Sequence, residues 1–388
     1  MSSSEQKLYR DPNLQIVFGI TLVTVMGVAS ITPAFPKIVK ELAISSKQVG
    51  LLITVFTLPG VILTPVLGIL ADRHGRKKVL IPSLFLFGIA GGSCAFVRDF
   101  NLLLLCRFFQ GMGASSLGSL YVTIIGDLYS GKQRTEALSY NTSILSIGTA
   151  SYPSIGGGLA LFGWYYPFLL PLAAIPLGLI AAFGLKNPEP TSREDLKDYL
   201  RSAWHQVSNR HVIGLFTAGL GTFIILYGAY LTFFPLLLGD SYGASTFVIG
   251  LIMSSMSVST AITSSRINFL TRFFTDRFLL KAAFVLYALS LVMIPLGHSL
   301  WIFLIPAMVF GMAQGINIPV ILDMLTASAP LENRAAFMSI NGLILRLGQT
   351  TGPVIMGGFF HIWGMPGVFY AAACFSLLMI IVLVFLIR

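Results

Sequence analysis

Residues 68–80 read GILADRHGRKKVL. An apolar run ends at Ala71, and one acid, four basic residues, a histidine and a glycine then fall within seven positions. The chain has only 15 acids in 388 residues, so a charged cluster between two oily segments needs an explanation. Composition supplies the setting. Hydrophobic residues make up 55% and charged residues 10%, and the mean hydropathy is +0.83. A soluble domain carries about 25% charged residues, so the chain reads as an all-α integral membrane protein. Its apolar runs are continuous and about 20 residues long, enough to cross ~30 Å of hydrocarbon as helix. They do not alternate as the short strands of an outer-membrane barrel do.

Twelve spans are expected, near 14–38, 48–71, 79–97, 100–126, 135–161, 164–185, 211–238, 246–265, 278–297, 300–325, 335–361 and 365–387. One polar stretch, residues 186–210, divides them six and six. The expected organisation is an N-terminal half (1–185), a linker (186–210) and a C-terminal half (211–388), with a short surface helix over 193–204. With the N-terminus in the cytoplasm, nineteen of the 25 basic residues fall on the cytoplasmic side and four on the other. That bias places both termini in the cytoplasm. The net charge of +10 then reflects topology and lipid headgroups, not nucleic acid. Cys94, Cys106 and Cys374 all lie in apolar runs and read as small core residues. No metal-ligand spacing, nucleophile constellation or nucleotide-binding motif is present, so neither an enzyme nor a cofactor is expected.

The two halves resemble each other. A shift of 200 residues brings Gly111-Met112 onto Gly311-Met312, Asn141 onto Asn341, Gly148 onto Gly348, Pro153 onto Pro353 and Gly157 onto Gly357. A shift four residues longer brings Asp72-Arg73 and Lys77 onto Asp276-Arg277 and Lys281. An even number of spans separates the copies, so they are parallel repeats about an axis along the membrane normal. That is a common transporter plan, with the substrate site near the midplane between the halves.

The opening stretch joins spans 2 and 3. Gly68 permits a close helix approach and Gly75 a tight turn. Asp72 ends a helix, where it can meet a helix N-terminus or an Arg from a neighbouring span, and Arg73, Arg76, Lys77 and Lys78 hold the loop in the cytoplasm. Such a cluster can latch two halves in one conformation and release them in another. The stretch resembles the signature loop of the major facilitator superfamily, G-x-L-a-D-r-x-G-r-k-x-x-l, at every specified position. The resemblance extends to length, twelve spans, central loop and parallel halves. It implies a gating role for Gly68, Asp72, Arg73, Gly75 and Arg76. Asp127, seven residues before Arg134, resembles a family acid that pairs with this loop. Asp323 near the end of span 10 would do comparable work, unless both acids are simply solvated helix ends.

Span 4 carries LCRFFQGMGAS (105–115), similar to the family's R-x-x-q-G-x-g-a motif through Arg107, Gln110, Gly111 and Gly113. In drug:proton antiporters the matching Arg assists proton transfer; the alternative is an Arg snorkelling to the surface. Span 5 resembles the drug-efflux marker g-x-x-x-G-P-x-x-G-G through Gly148, Pro153, Gly156 and Gly157, with Tyr152 in place of one Gly. Span 11 keeps Gly348, Gly352 and Pro353. These positions imply a pliable hinge, or else plain helix packing.

No Asp or Glu lies in the middle of a span, so no proton site is assigned, with Asp127, Asp323 and Glu41 as the available acids. Arg346 has the opposite sign and lies in span 11, about eleven residues from its inner end and so roughly 16 Å deep. A charge at that depth marks a pathway and suits a carboxylate or phosphate, or else bonds to neighbouring helices. Gln110, Asn141, Tyr227, Tyr230, Gln314, Asn317, Asn341 and Gln349 are the candidate cavity lining. The expected function is proton-coupled efflux of small amphiphilic compounds by alternating access, by a monomer in a plasma membrane of bacterial inner-membrane type. A lipid, lysolipid or organic-anion transporter, or an uncoupled facilitator, are the alternatives on the same fold.

Overall fold

The computed structural model describes residues 8–186, 209–328 and 334–387. The surface helix expected over 193–204 lies outside them. Among the described residues there are helices and no strands, because a bilayer satisfies backbone groups only within a helix or a closed barrel. Spans 1 and 2 are Pro12–Glu41 and Ser46–His74. Spans 3, 4 and 5 are Arg76–Ser93, Phe100–Leu128 and Gly131–Phe162, and span 6 is Tyr166–Gly184. Spans 7 to 10 are Arg210–Ser241, Thr246–Ser265, Asp276–Leu296 and Leu300–Ser328. A last helical stretch, Arg334–Leu386, breaks at Gly364 (φ 67°) and so holds spans 11 and 12. A short helix, Ile267–Phe273, lies between spans 8 and 9.

Local chemistry sets the boundaries. Asp11, Asp99, Ser245 and Thr275 cap spans 1, 4, 8 and 9 by accepting backbone N–H bonds. Ser45 and Gln48 form a reciprocal capping box before span 2. Gly75, at φ 106°, separates spans 2 and 3 in a conformation that L side chains resist. Span 7 contains two wide, π-type stretches, Ile225–Phe233 and Leu237–Ser241. The hydroxyl of Thr232 donates across the first of them to the Tyr227 carbonyl five residues back, at 2.7 Å.

The sequence repeat reappears as repeated contacts. Within the halves, Gly111 faces the Phe56 carbonyl and Gly311 faces the Met256 carbonyl. Between the halves, Gly50 of span 2 meets Pro353 of span 11, and Gly250 of span 8 meets the Pro153 carbonyl of span 5. Both pairs of contacts are related by the same 200-residue shift. Hydrogen bonds follow these seams. On one, Thr54 donates to the Thr350 carbonyl at 3.0 Å, and the Thr350 hydroxyl donates to Thr57 at 2.9 Å. On the other, Thr246 donates to the Gly157 carbonyl at 2.7 Å, Ser154 and Ser254 share a 2.7 Å bond, and Ser257 donates to the Thr149 carbonyl at 3.1 Å. All these bonds lie toward the end of the molecule away from GILADRHGRKKVL. Toward the loop end a Cβ added to Gly68 or Gly342 would meet nothing within 4 Å. The halves are therefore seamed at the distal end, between spans 2 and 11 and between spans 5 and 8.

Candidate functional site

Arg346 lies one turn from Thr350 of the distal seam, on the side toward the signature loop. It is half-buried on span 11 and reaches into the N-terminal half. A methyl on Gly60 of span 2 would sit 3.2 Å from both its Cδ and its Nε, and one on Gly118 of span 4 would sit 3.7 Å from Nη2. Its Nη1 donates to Oε1 of Gln349, one turn along the same helix, at 3.2 Å. Tyr227 of span 7 lies within its electrostatic reach. Among the described residues Arg346 forms no ion pair. Four spans thus converge on one guanidinium whose hydrogen-bonding capacity is largely unspent. Two facing glycines make room for its side chain, and neither Gly60 nor Gly118 was singled out from sequence. The LPG triplet at 58–60 was the available signal for the first.

The remaining cavity candidates divide differently from the sequence expectation. Gln349 and Tyr227 stand beside Arg346. Gln110 does not: it is fully buried and accepts a 2.6 Å bond from Nη1 of Arg107. Asn141 accepts from Thr21 at 2.7 Å, and Asn317 accepts from Thr222 at 2.9 Å, both inside one half. Tyr230 is 1% exposed, with its ring stacked on Phe234 and on Phe310 at centroid distances of 5.0 and 4.6 Å. Gln314 accepts from the Tyr287 hydroxyl at 2.6 Å, and Asn341 is buried near Gly219 of span 7. The hydrogen bonds of Gln110, Asn141, Gln314 and Asn317 stay within their own halves, while Gln110 Nε2, the Tyr230 hydroxyl, Asn317 Nδ2 and Asn341 Oδ1 are buried with no hydrogen-bond partner among the described residues.

Arg107 likewise departs from both expectations. It neither lines the central space nor snorkels, being 0% exposed. Its Nε donates to the Leu52 carbonyl at 3.1 Å and its guanidinium lies 4.1 Å over the Phe56 ring. Nη2 has no hydrogen-bond partner. A buried cation held by a carbonyl, an amide and a ring face locks span 4 to span 2. Gln110→Leu should remove a bond to a charge and lower stability by about 2 kcal/mol. Thermal unfolding in detergent measures this, and an unchanged midpoint would mean that Arg107 draws nothing from Gln110.

The supposed hinge residues are close-packing positions. A Cβ on Gly156 would overlap the Ser30 carbonyl, and one on Gly157 the Thr246 carbonyl. Gly148 faces Leu22 at 3.0 Å, and Gly348 and Gly352 face the Leu220 and Ile224 carbonyls of span 7 at 2.8 Å. Span 5 runs as one helix through Pro153.

At the loop end, Arg76 forms ion pairs with Asp72 and with Asp127 of span 4, the latter at 3.0 Å. Arg134 lies against Gly126, with its Nη2 3.4 Å from where a Cβ would be. Beside them the Tyr129 hydroxyl donates to Asp11 at 2.7 Å, and burial together with that carboxylate raises the phenol above its usual range. All of these partners belong to the N-terminal half. Asp323 of span 10 is exposed and forms no ion pair among the described residues.

The profile of the Major Facilitator Superfamily matches residues 17–272 and 213–388. The chain belongs to the major facilitator superfamily. It is a multi-pass membrane transporter, not an enzyme. Among relatives, the chain is 24% identical to the bacillibactin exporter of Bacillus subtilis (strain 168), covering 88% of each chain. It is 28% identical to the multi-drug resistance efflux pump PmrA of Streptococcus pneumoniae serotype 4, covering 93% of this chain and 92% of that one. A solved bacterial homolog of the human lysosomal transporter Spinster, inward-facing and occupied, superposes with a TM-score of 0.77 at 17% identity, covering 98% and 96% of the two chains. The superfamily fold explains why Asp72, Arg76 and Asp127 converge and why the repeat relates the two seams.

Proposed function

We propose that this chain is a proton-coupled secondary transporter that expels small amphiphilic compounds by alternating access, with Arg346 as the charged group of its central pathway. The observation that carries the reading is the position of Arg346: it stands on one half, reaches glycines of the other and has no acid partner among the described residues. A cation so placed favours an anionic or zwitterionic guest. The exporters among the relatives support the efflux direction. The units that rock are residues 1–185 and 211–388, joined by the cytoplasmic linker 186–210, in a monomer of a bacterial inner membrane. The basic-residue bias puts both termini and the signature loop in the cytoplasm. On that orientation the two seams between the halves lie toward the outer side of the membrane.

Asp72→Asn tests the gating role. The Asp72 carboxylate is about two-fifths exposed, so its pair with Arg76 contributes less than ~1 kcal/mol to folding. Turnover is expected to fall several-fold while substrate affinity stays within about twofold. Equal loss of turnover and affinity would assign Asp72 to binding. An uncoupled facilitator is the second reading, favoured by the lack of acids in mid-span. Proteoliposomes with an imposed pH gradient separate the two, using a panel of anionic, zwitterionic and cationic amphiphiles. Coupled efflux predicts accumulation of an anionic or zwitterionic compound that collapses with the gradient. Equilibration alone would support the facilitator.

A further inference from the structure

The repeat of the signature loop in the second half has lost its ion-paired core. The longer shift places Leu280 where Arg76 stands, and the 200-residue shift places Ala327 where Asp127 stands. What remains is RINFLTRFFTDRFLLK, residues 266–281, with four basic residues and the single acid Asp276. Its helix, Ile267–Phe273, buries none of its seven residues. Ile267 and Leu270 rest against the core beside spans 8 and 10. Phe269 and Phe273 point away, 54% and 68% exposed, with ring centroids 5.1 Å apart. Phe274 and Phe278 form a second exposed stack at 5.1 Å. Arg266, Arg272 and Arg277 are exposed among these rings, and none forms an ion pair among the described residues. His211, at the start of span 7, lies within electrostatic reach of Arg277.

We infer that this surface binds the headgroups of anionic phospholipids in the leaflet at the signature-loop end. The charge and the rings commit it to that occupant. Four exposed phenylalanines at the end of two spans are stable only against the headgroup and acyl boundary. Basic residues set among them at that depth attract phosphate. A soluble acidic partner would leave the rings in water, and zwitterionic lipid would leave the three guanidiniums without a net counter-charge. In the first-half loop Arg76 is spent on Asp72 and Asp127; the second-half loop presents Arg266, Arg272 and Arg277 to lipid. One repeat thus closes on the protein and the other holds the C-terminal half to the membrane.

The test is a titration of the full chain in detergent with fluorescent phosphatidylglycerol and fluorescent phosphatidylcholine. Wild type should prefer phosphatidylglycerol, and added salt should erode that preference. The triple variant Arg266→Gln, Arg272→Gln, Arg277→Gln should lose at least about fivefold in phosphatidylglycerol affinity with phosphatidylcholine unchanged. Lys40→Gln with Lys47→Gln, at the distal end, should leave the preference intact. An unchanged preference in the triple variant, or its equal loss in the distal variant, overturns the proposal. So does a shift in oligomeric state without a change in lipid binding, which would make the surface a contact between two copies. Wild type alone decides the matter if the triple variant does not fold: no preference for the anionic lipid, or one insensitive to salt, refutes it.

Discussion

Gly250→Ala is expected to open the distal seam and shift the protein out of the conformation described here. The Cβ would overlap the backbone carbonyl of Pro153, and backbone oxygen cannot swing aside as a side chain tip can. Relief requires spans 5 and 8 to part, which also strains the neighbouring bonds Thr246 to Gly157 and Ser154 to Ser254. Overpacking of this kind costs about 1–3 kcal/mol. Only the distal-closed state contains the contact, so that cost becomes a roughly five- to 150-fold change in the ratio of the two states. Gly157→Ala, which meets the Thr246 carbonyl on the same seam, should act in the same direction. Both variants should fold and insert, lose turnover, and show greater labelling of cysteines placed at the distal end. Gly68→Ala is the contrast, because a Cβ there meets nothing in this state; its penalty should fall on the state in which the loop end closes. Equal distal labelling in Gly250→Ala and wild type would mean that the seam does not hold this conformation.

Arg346→Ala is expected to abolish transport of anionic and zwitterionic compounds while leaving the fold in place. The side chain is half-buried and bonds only to Gln349 on its own helix, so little packing is lost. A guanidinium that meets a substrate anion away from bulk water contributes about 1.5–3 kcal/mol through charged hydrogen bonds. Its loss should weaken affinity by about ten- to 150-fold. Arg346→Lys should recover part of this, because the charge is restored without the planar fork. Gly60→Ala provides a steric check, since its methyl would press on Cδ and Nε of Arg346 at 3.2 Å. Affinity measured by substrate-dependent thermal shift, alongside flux in proteoliposomes, resolves these effects. Unimpaired affinity for anions in Arg346→Ala would make the residue a helix-packing cation like Arg107.

Much of the architecture was legible in the sequence. Apolar run length gave the spans, and the 200-residue shift that aligned Pro153 with Pro353 also relates Gly50 to Gly250, the partners of those prolines. The turn at Gly75 and the meeting of Arg76 with Asp72 and Asp127 followed from the loop's residues and its family resemblance. Side-chain direction was not legible. In a soluble helix the polar face marks solvent, but a span apolar on every side has no such marker. Gln110, Asn141 and Asn317 could therefore be read as cavity lining when each satisfies a partner inside its own half. Tyr230 lies in the wide-turn stretch Ile225–Phe233, where side chains do not keep the spacing of a regular helix. The glycines of spans 5 and 11 looked like hinges because Gly serves bending and close packing alike. Only the facing carbonyls decide for packing.

The most direct test of the account is a pair of distances between spin labels in lipid. One pair, Gln48→Cys with His361→Cys, spans the distal end; the other, His74→Cys with Asn268→Cys, spans the loop end, with Cys94, Cys106 and Cys374 replaced. The account predicts that substrate and pH shift the two distances in opposite senses: when the loop end closes, the distal end opens. Distances that stay fixed under every condition, or that lengthen together, would contradict alternating access around Arg346.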